Sequence, residues 1–138
     1  MSDLRFTLTT DGSFDRVLLR HVSWILRRLL RNDVALQPQW ADPGALPKKP
    51  KNLAEKIRLA AELYPSDLLL VHRDAEGQNP LRRCDEINEA VRLAEISIPF
   101  VPVVPVRMTE AWLLFDALAI RFAAGNPNGR VLLSQRWV

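Results

Sequence analysis

Apolar and polar positions alternate at once: Leu4, Phe6 and Leu8 are interleaved with Arg5, Thr7 and Thr9, which predicts a first strand over Leu4–Thr10. Asp11-Gly12-Ser13 then reads as a turn. From there the period changes to that of a helix. Phe14, Val17, Leu18, His21, Val22, Ile25 and Leu29 share one face of a helix over Phe14–Arg31, and Arg16, Arg20, Arg27 and Arg31 share the opposite one. That phase puts His21 in the core, and Trp24, Trp40 and Trp112 read as packing residues. Val34–Trp40 predicts a second strand, and residues 42–51 form a Pro-rich basic loop. Asn52 caps a second helix with Leu53, Ile57, Ala60, Ala61 and Tyr64 on one face, closed by Pro65-Ser66.

The next run, Asp67-Leu68-Leu69-Leu70-Val71-His72, is apolar without alternation. Such a run reads as a strand buried on both faces, the habit of parallel sheets. It ends in Arg73-Asp74-Ala75-Glu76. Gly77-Gln78-Asn79-Pro80 is a loop, and a third helix follows over Leu81–Glu95 with Cys84, Ile87, Val91 and Ala94 inward. Ile98–Val106 is β-branched but carries Pro99, Pro102 and Pro105, which suits an edge strand. Thr109 caps a last helix to Ala124, Gly125–Gly129 is a turn, and an apolar tail closes the chain within residues 126–138. Strand and helix alternate throughout. The expected fold class is α/β: a single Rossmann-like domain over residues 1–138, with a mostly parallel central sheet of about four strands flanked by helices.

Composition adds little to that picture and removes several alternatives. The 138 residues are 48% hydrophobic and 25% charged, as a packed globule requires. A net charge of +3 is compatible with a DNA or RNA partner without demanding one. Cys84 is the sole cysteine, which excludes an internal disulfide and a Cys-rich zinc site and points to a reducing cytoplasmic setting. No signal-peptide pattern opens the chain, and no apolar run is long enough to span a bilayer, so no membrane partner is expected.

The candidate chemistry sits at the strand ends. In open parallel sheets, ligands gather beyond the carboxyl ends of the strands. Asp74 and Glu76 lie there, and as alternate residues they point the same way. Asp11 ends the first strand, and it joins them if strands one and three are neighbours. Like charges at close range raise each other's pKa, and a hard cation such as Mg²⁺ or Mn²⁺ relieves that. His72 reads as a buried, hydrogen-bonded residue, while Arg73 either contacts phosphate or neutralises Asp74. No GxxxxGK(S/T) loop and no GxGxxG turn is present. The only two histidines, His21 and His72, are too far apart in sequence to suggest zinc, and Ser13 has no evident catalytic partners.

Three motifs carry a resemblance. They are Asp11-Gly12-Ser13-Phe14-Asp15, Asp74-Ala75-Glu76, and Glu110-Ala111-Trp112-Leu113-Leu114-Phe115-Asp116. Together they resemble the TOPRIM superfamily, which holds bacterial primases, type IA and type II topoisomerases, OLD nucleases and recombination proteins. The nearer likeness is to its small OLD-like bacterial proteins. The resemblance covers about residues 4 to 125. Asp11 stands where the family usually has Glu, and Glu76 where it usually has Asp. The likeness implies a TOPRIM-like domain and a Mg²⁺-dependent phosphodiester hydrolase, a nuclease in phage defence or repair. Asp74 and Glu76 would hold metal, Asp11 would be a further metal ligand or the general acid/base, Glu110 would complete or orient the catalytic set, and Arg73 and Arg107 would meet substrate phosphate. Two other readings stay open. One is a TOPRIM-like binding module with a weak or inactive site. The other is a subunit of a larger defence complex that meets a partner ATPase, or a second copy of itself, through the apolar tail. The arginine face of the first helix is either simply solvated or, with Lys48, Lys49 and Lys51, a track for nucleic acid.

Overall fold

A computed structural model of the chain describes residues 2–12, 17–75, 77 and 79–104. Four strands, β1 (Ser2–Thr9), β2 (Val34–Ala41), β3 (Leu68–His72) and β4 (Phe100–Val103), form an all-parallel sheet of order β2-β1-β3-β4. Three helices, α1 (Leu18–Leu29), α2 (Leu53–Leu63) and α3 (Pro80–Ala94), flank it. The fold is therefore α/β and Rossmann-like, as the strand–helix alternation predicts. Among the described residues no helix is long and apolar enough to cross a membrane.

Burial explains the strand order. All five residues of β3 are buried, so this strand needs cover on both faces and a neighbour on both sides. Leu68 and Leu70 face α1, in one core with Leu4, Phe6, Leu8, Val22 and Leu26. Leu69 and Val71 face the other way, in a second core with Ile57, Ala60, Ile87, Val91 and Ala94 of α2 and α3. Each fully buried Leu or Phe contributes about 1.5–3 kcal/mol. The Pro-containing strands β2 and β4 take the edges among the described strands, where a missing ladder donor costs least.

The helix starts are encoded locally. Asn52 Oδ1 accepts the Glu55 N–H at 2.8 Å, and Asn79 Oδ1 accepts the Leu81 N–H at 2.9 Å with Pro80 opening α3. Helix α3 ends on Glu95, a non-glycine residue in the left-handed region at φ 54°.

Three sequence expectations for α1 are corrected. Val17 and His21 do not face the core: Val17 is 57% exposed and His21 is also exposed. Trp24 does not pack inside; it is 56% exposed. The buried stripe is Leu18, Val22, Ile25, Leu26 and Leu29, so Leu26 draws the face away from Val17 and His21. Half-buried Cys84 packs at the margin of the second core rather than within it. The expected start of the first helix at Phe14–Arg16, the end of the last strand beyond Val104, the helix over Thr109–Ala124 and the tail at 126–138 lie outside the described residues.

Candidate functional site

The chain runs from β1 outward to β2, returns past β1 to β3, and continues to β4. The direction therefore reverses between β1 and β3. Helix α1 leaves over one face of the sheet and α3 over the other, so the carboxyl ends of these two central strands form a topological switch point. Asp11 and Asp74 both lie there.

Ladder pairing between β1 and β3 extends to Thr9 opposite Val71. Beyond it, side chains take over the work of backbone partners. Asp11 Oδ2 accepts the Asp74 N–H at 3.0 Å, while the Arg73 N–H goes to the Val103 carbonyl on β4 at 3.1 Å. The Asp11 N–H donates to His72 Nδ1 at 3.2 Å. Because Nδ1 accepts, the ring hydrogen is assigned to Nε2, which donates to Asp74 Oδ1 at 3.1 Å. The His72 side chain is wholly buried. It is the hydrogen-bonded histidine that the sequence suggests, and it ties both carboxylate-bearing turns to the end of β3.

The β1 turn is braced from behind. Thr10, itself fully buried, donates its hydroxyl to the Gly12 carbonyl at 2.9 Å and accepts from Trp40 Nε1 at 3.1 Å. Lys56 Nζ of α2 donates to the Thr10 carbonyl. Half-buried Trp40, expected as a packing residue, holds this turn through its indole N–H. Nothing in the sequence pattern signals Lys56, which reaches this turn from another element.

Arg73 corrects another expectation. Its guanidinium goes to Asp11 rather than Asp74: Nε lies 3.2 Å from Asp11 Oδ1, close enough for an ion pair but without the alignment of a hydrogen bond. Its Nη1 lies 3.7 Å from Glu86 Oε2, which Arg83 Nη1 meets at 2.9 Å. Asp11, Arg73, Glu86 and Arg83 form a line of alternating charge from β1 across to α3. The countercharge expected from a cation is thus supplied at Asp11 by a side chain. Arg83 and Glu86 escape a sequence reading because α3 meets Arg73 only in the fold.

The two acids differ in what remains open. Both oxygens of Asp11 are engaged, by Arg73 and by the Asp74 N–H. Asp74 Oδ1 is engaged by His72, and nothing among the described residues holds Asp74 Oδ2. The Asp74 side chain is 46% exposed. Among the described residues no group of three or more His, Cys, Asp or Glu side chains is placed to hold a metal ion. Glu76, Arg107 and Glu110 lie outside those residues, as do Asp15 and Trp112. Gly77 follows Glu76 at φ 78°, a backbone conformation that suits glycine. Exposed carboxylate oxygen beside a buried donor network suits a hard cation that keeps several waters. Comparison with protein-family models, curated proteins and solved structures gave no match to this chain.

Proposed function

We propose that this chain is a Mg²⁺- or Mn²⁺-dependent phosphodiester hydrolase of TOPRIM-like organisation, a cytoplasmic nuclease on DNA or RNA in phage defence or repair. The observation that carries this reading is the meeting of Asp11 and Asp74 at the switch point between β1 and β3. Asp74, through its open Oδ2, and Glu76 are the residues to hold the ion, with Asp11 beside them and Glu110 completing the set. When bound, the ion polarises a phosphate oxygen and lowers the pKa of a bound water. The protein's own part is positional. His72 holds Asp74 Oδ1 and the Asp11 backbone, so the carboxylates need not be ordered again when substrate arrives. Arg73 stands next to the site as a guanidinium able to meet phosphate, and Arg107 has the same role in the TOPRIM-like reading.

A second reading has one observation in its favour. Arg73 already balances Asp11, so the cluster is stable without a cation. On that reading the chain is a phosphate-binding module, or a subunit working with a partner ATPase or a second copy docked through the apolar tail. A cleavage assay on single- and double-stranded DNA and RNA with Mg²⁺ or Mn²⁺ separates the two. The hydrolase reading expects cleavage that Asp74→Ala abolishes while the far-UV circular dichroism is unchanged. Cleavage that survives Asp74→Ala overturns the site, and nucleic-acid binding without cleavage selects the module.

A further inference from the structure

The solvent face of α1 differs from the other helix surfaces. Arg20, His21, Trp24, Arg27 and Arg28 are all exposed along it. No Asp or Glu occurs in α1, and none in β2, the strand it joins. Asp33, in the connection between them, lies 3.5 Å from Arg31. In the middle of the face Trp24 is 56% exposed, and the Arg28 guanidinium lies over its ring, 4.9 Å from the centroid. That contact restrains the indole on the surface. Arg20 to Arg28 spans about 12 Å of helix axis.

Charge and shape together select the partner. A row of arginines without interspersed acid favours a polyanion. The exposed ring asks for a second feature in that polyanion: an open π-face. In a duplex the bases are stacked on one another and leave Trp24 unused, whereas a single strand offers both phosphates and unpaired bases. A bilayer fits less well, because Leu18, Val22, Ile25, Leu26 and Leu29 are committed to the core and α1 has no apolar face left to insert. A second copy of the chain would bring the same cations to the same place.

We propose that the outer face of α1 binds single-stranded nucleic acid, with a base stacked on Trp24 beside Arg28 and phosphates on Arg20 and Arg27. The inference narrows the substrate of the proposed hydrolase to single strands and in that respect rests on that reading. The surface itself is separate from the Asp11–Asp74 cluster, so binding in EDTA reports on it without cleavage. The test is fluorescence anisotropy of a labelled oligothymidylate of about 12 nucleotides, titrated with the full chain in EDTA between about 50 and 200 mM salt. Trp24→Ala should weaken binding about 5- to 100-fold, and Trp24→Phe should restore most of it. Arg20→Ala combined with Arg27→Ala should lower the slope of log affinity against log salt by about 1.4. Arg92→Ala, which removes an exposed arginine of α3, should bind like the parent protein, and because binding is read in EDTA a failure of the hydrolase reading stays distinct from a failure of this one. Unchanged affinity in Trp24→Ala overturns the proposal. So does a Trp24→Ala loss that is equal on a duplex of the same length, or one seen with phosphatidylserine vesicles and not with the oligonucleotide.

Discussion

Two hydrogen bonds of His72 can be removed one at a time. Its Nδ1 accepts from the Asp11 backbone at 3.2 Å, and its Nε2–H donates to Asp74 Oδ1 at 3.1 Å. In His72→Asn the amide oxygen stands near the place of Nδ1 and keeps the first bond. In His72→Gln the amide nitrogen stands near the place of Nε2 and keeps the second. A hydrogen bond to a charged group contributes about 1.5–3 kcal/mol, and a neutral one about 1 kcal/mol. The Asp74 side chain is 46% exposed, so solvent brings its bond down to about 1 kcal/mol. A double-mutant cycle of His72→Asn with Asp74→Ala should then show a coupling of about 1 kcal/mol, because the volume lost at the buried position cancels between the two arms. The cycle of His72→Gln with Asp74→Ala should show coupling near zero, since the glutamine retains this bond. The assay is urea unfolding followed by tryptophan fluorescence, with shifts in midpoint at constant m. Coupling within about 0.3 kcal/mol of zero in the asparagine cycle would refute the network as the tie between the two turns.

Two further perturbations follow from local features. Glu95 closes α3 in the left-handed region at φ 54°, where glycine carries no Cβ penalty, so Glu95→Gly should raise stability by about 0.5–1 kcal/mol; a urea midpoint that falls instead would count against the αL cap. Burial pushes the Cys84 thiol above its ordinary range, and the neighbouring Asp85 charge adds to the effect. The thiolate is the reactive form, so a disulfide reagent should modify Cys84 more slowly in the folded chain than in urea. The same raised pKa makes its contribution to stability complete below the ordinary thiol pKa and progressively lost as the pH climbs past it. Equal rates in the two states would contradict this environment.

The sheet was legible because two of its strands carry unambiguous patterns. Leu4, Phe6 and Leu8 alternate with polar residues and Leu68 to Val71 does not, yet both strands are central, and Thr7 and Thr9 of β1 are buried as well. The meeting of Asp11 and Asp74 was legible, since acids ending two strands needed only those strands to be adjacent. The phase of α1 was less so. A run containing both Val17-Leu18 and Ile25-Leu26 fits two helical faces, and the choice between them is made by contacts with Leu4, Leu8 and Leu70 rather than by spacing. That choice exposed His21 and Trp24, and with them a surface that the spacing had assigned to packing. Partner selection by Arg73 was beyond the sequence for a similar reason. Asp74 is its neighbour in the chain, but extended backbone turns successive side chains to opposite faces, and α3 brings Glu86 to the face where Arg73 points.

This division of partners also separates the roles of the two acids. Asp11 is held three times, through its N–H, through Oδ2 and through the Arg73 ion pair. A cation at Asp11 would have to share the carboxylate with the like charge of Arg73. Asp74 offers Oδ2 at no such cost. In the proposed hydrolase, therefore, Asp74 would be the carboxylate open to the ion, and Asp11 would keep the ends of β1 and β3 together. A shorter acid at position 11 agrees with that duty. From the end of β1 its carboxylate already reaches the Asp74 N–H at 3.0 Å, and a longer glutamate there would carry its oxygens past that amide.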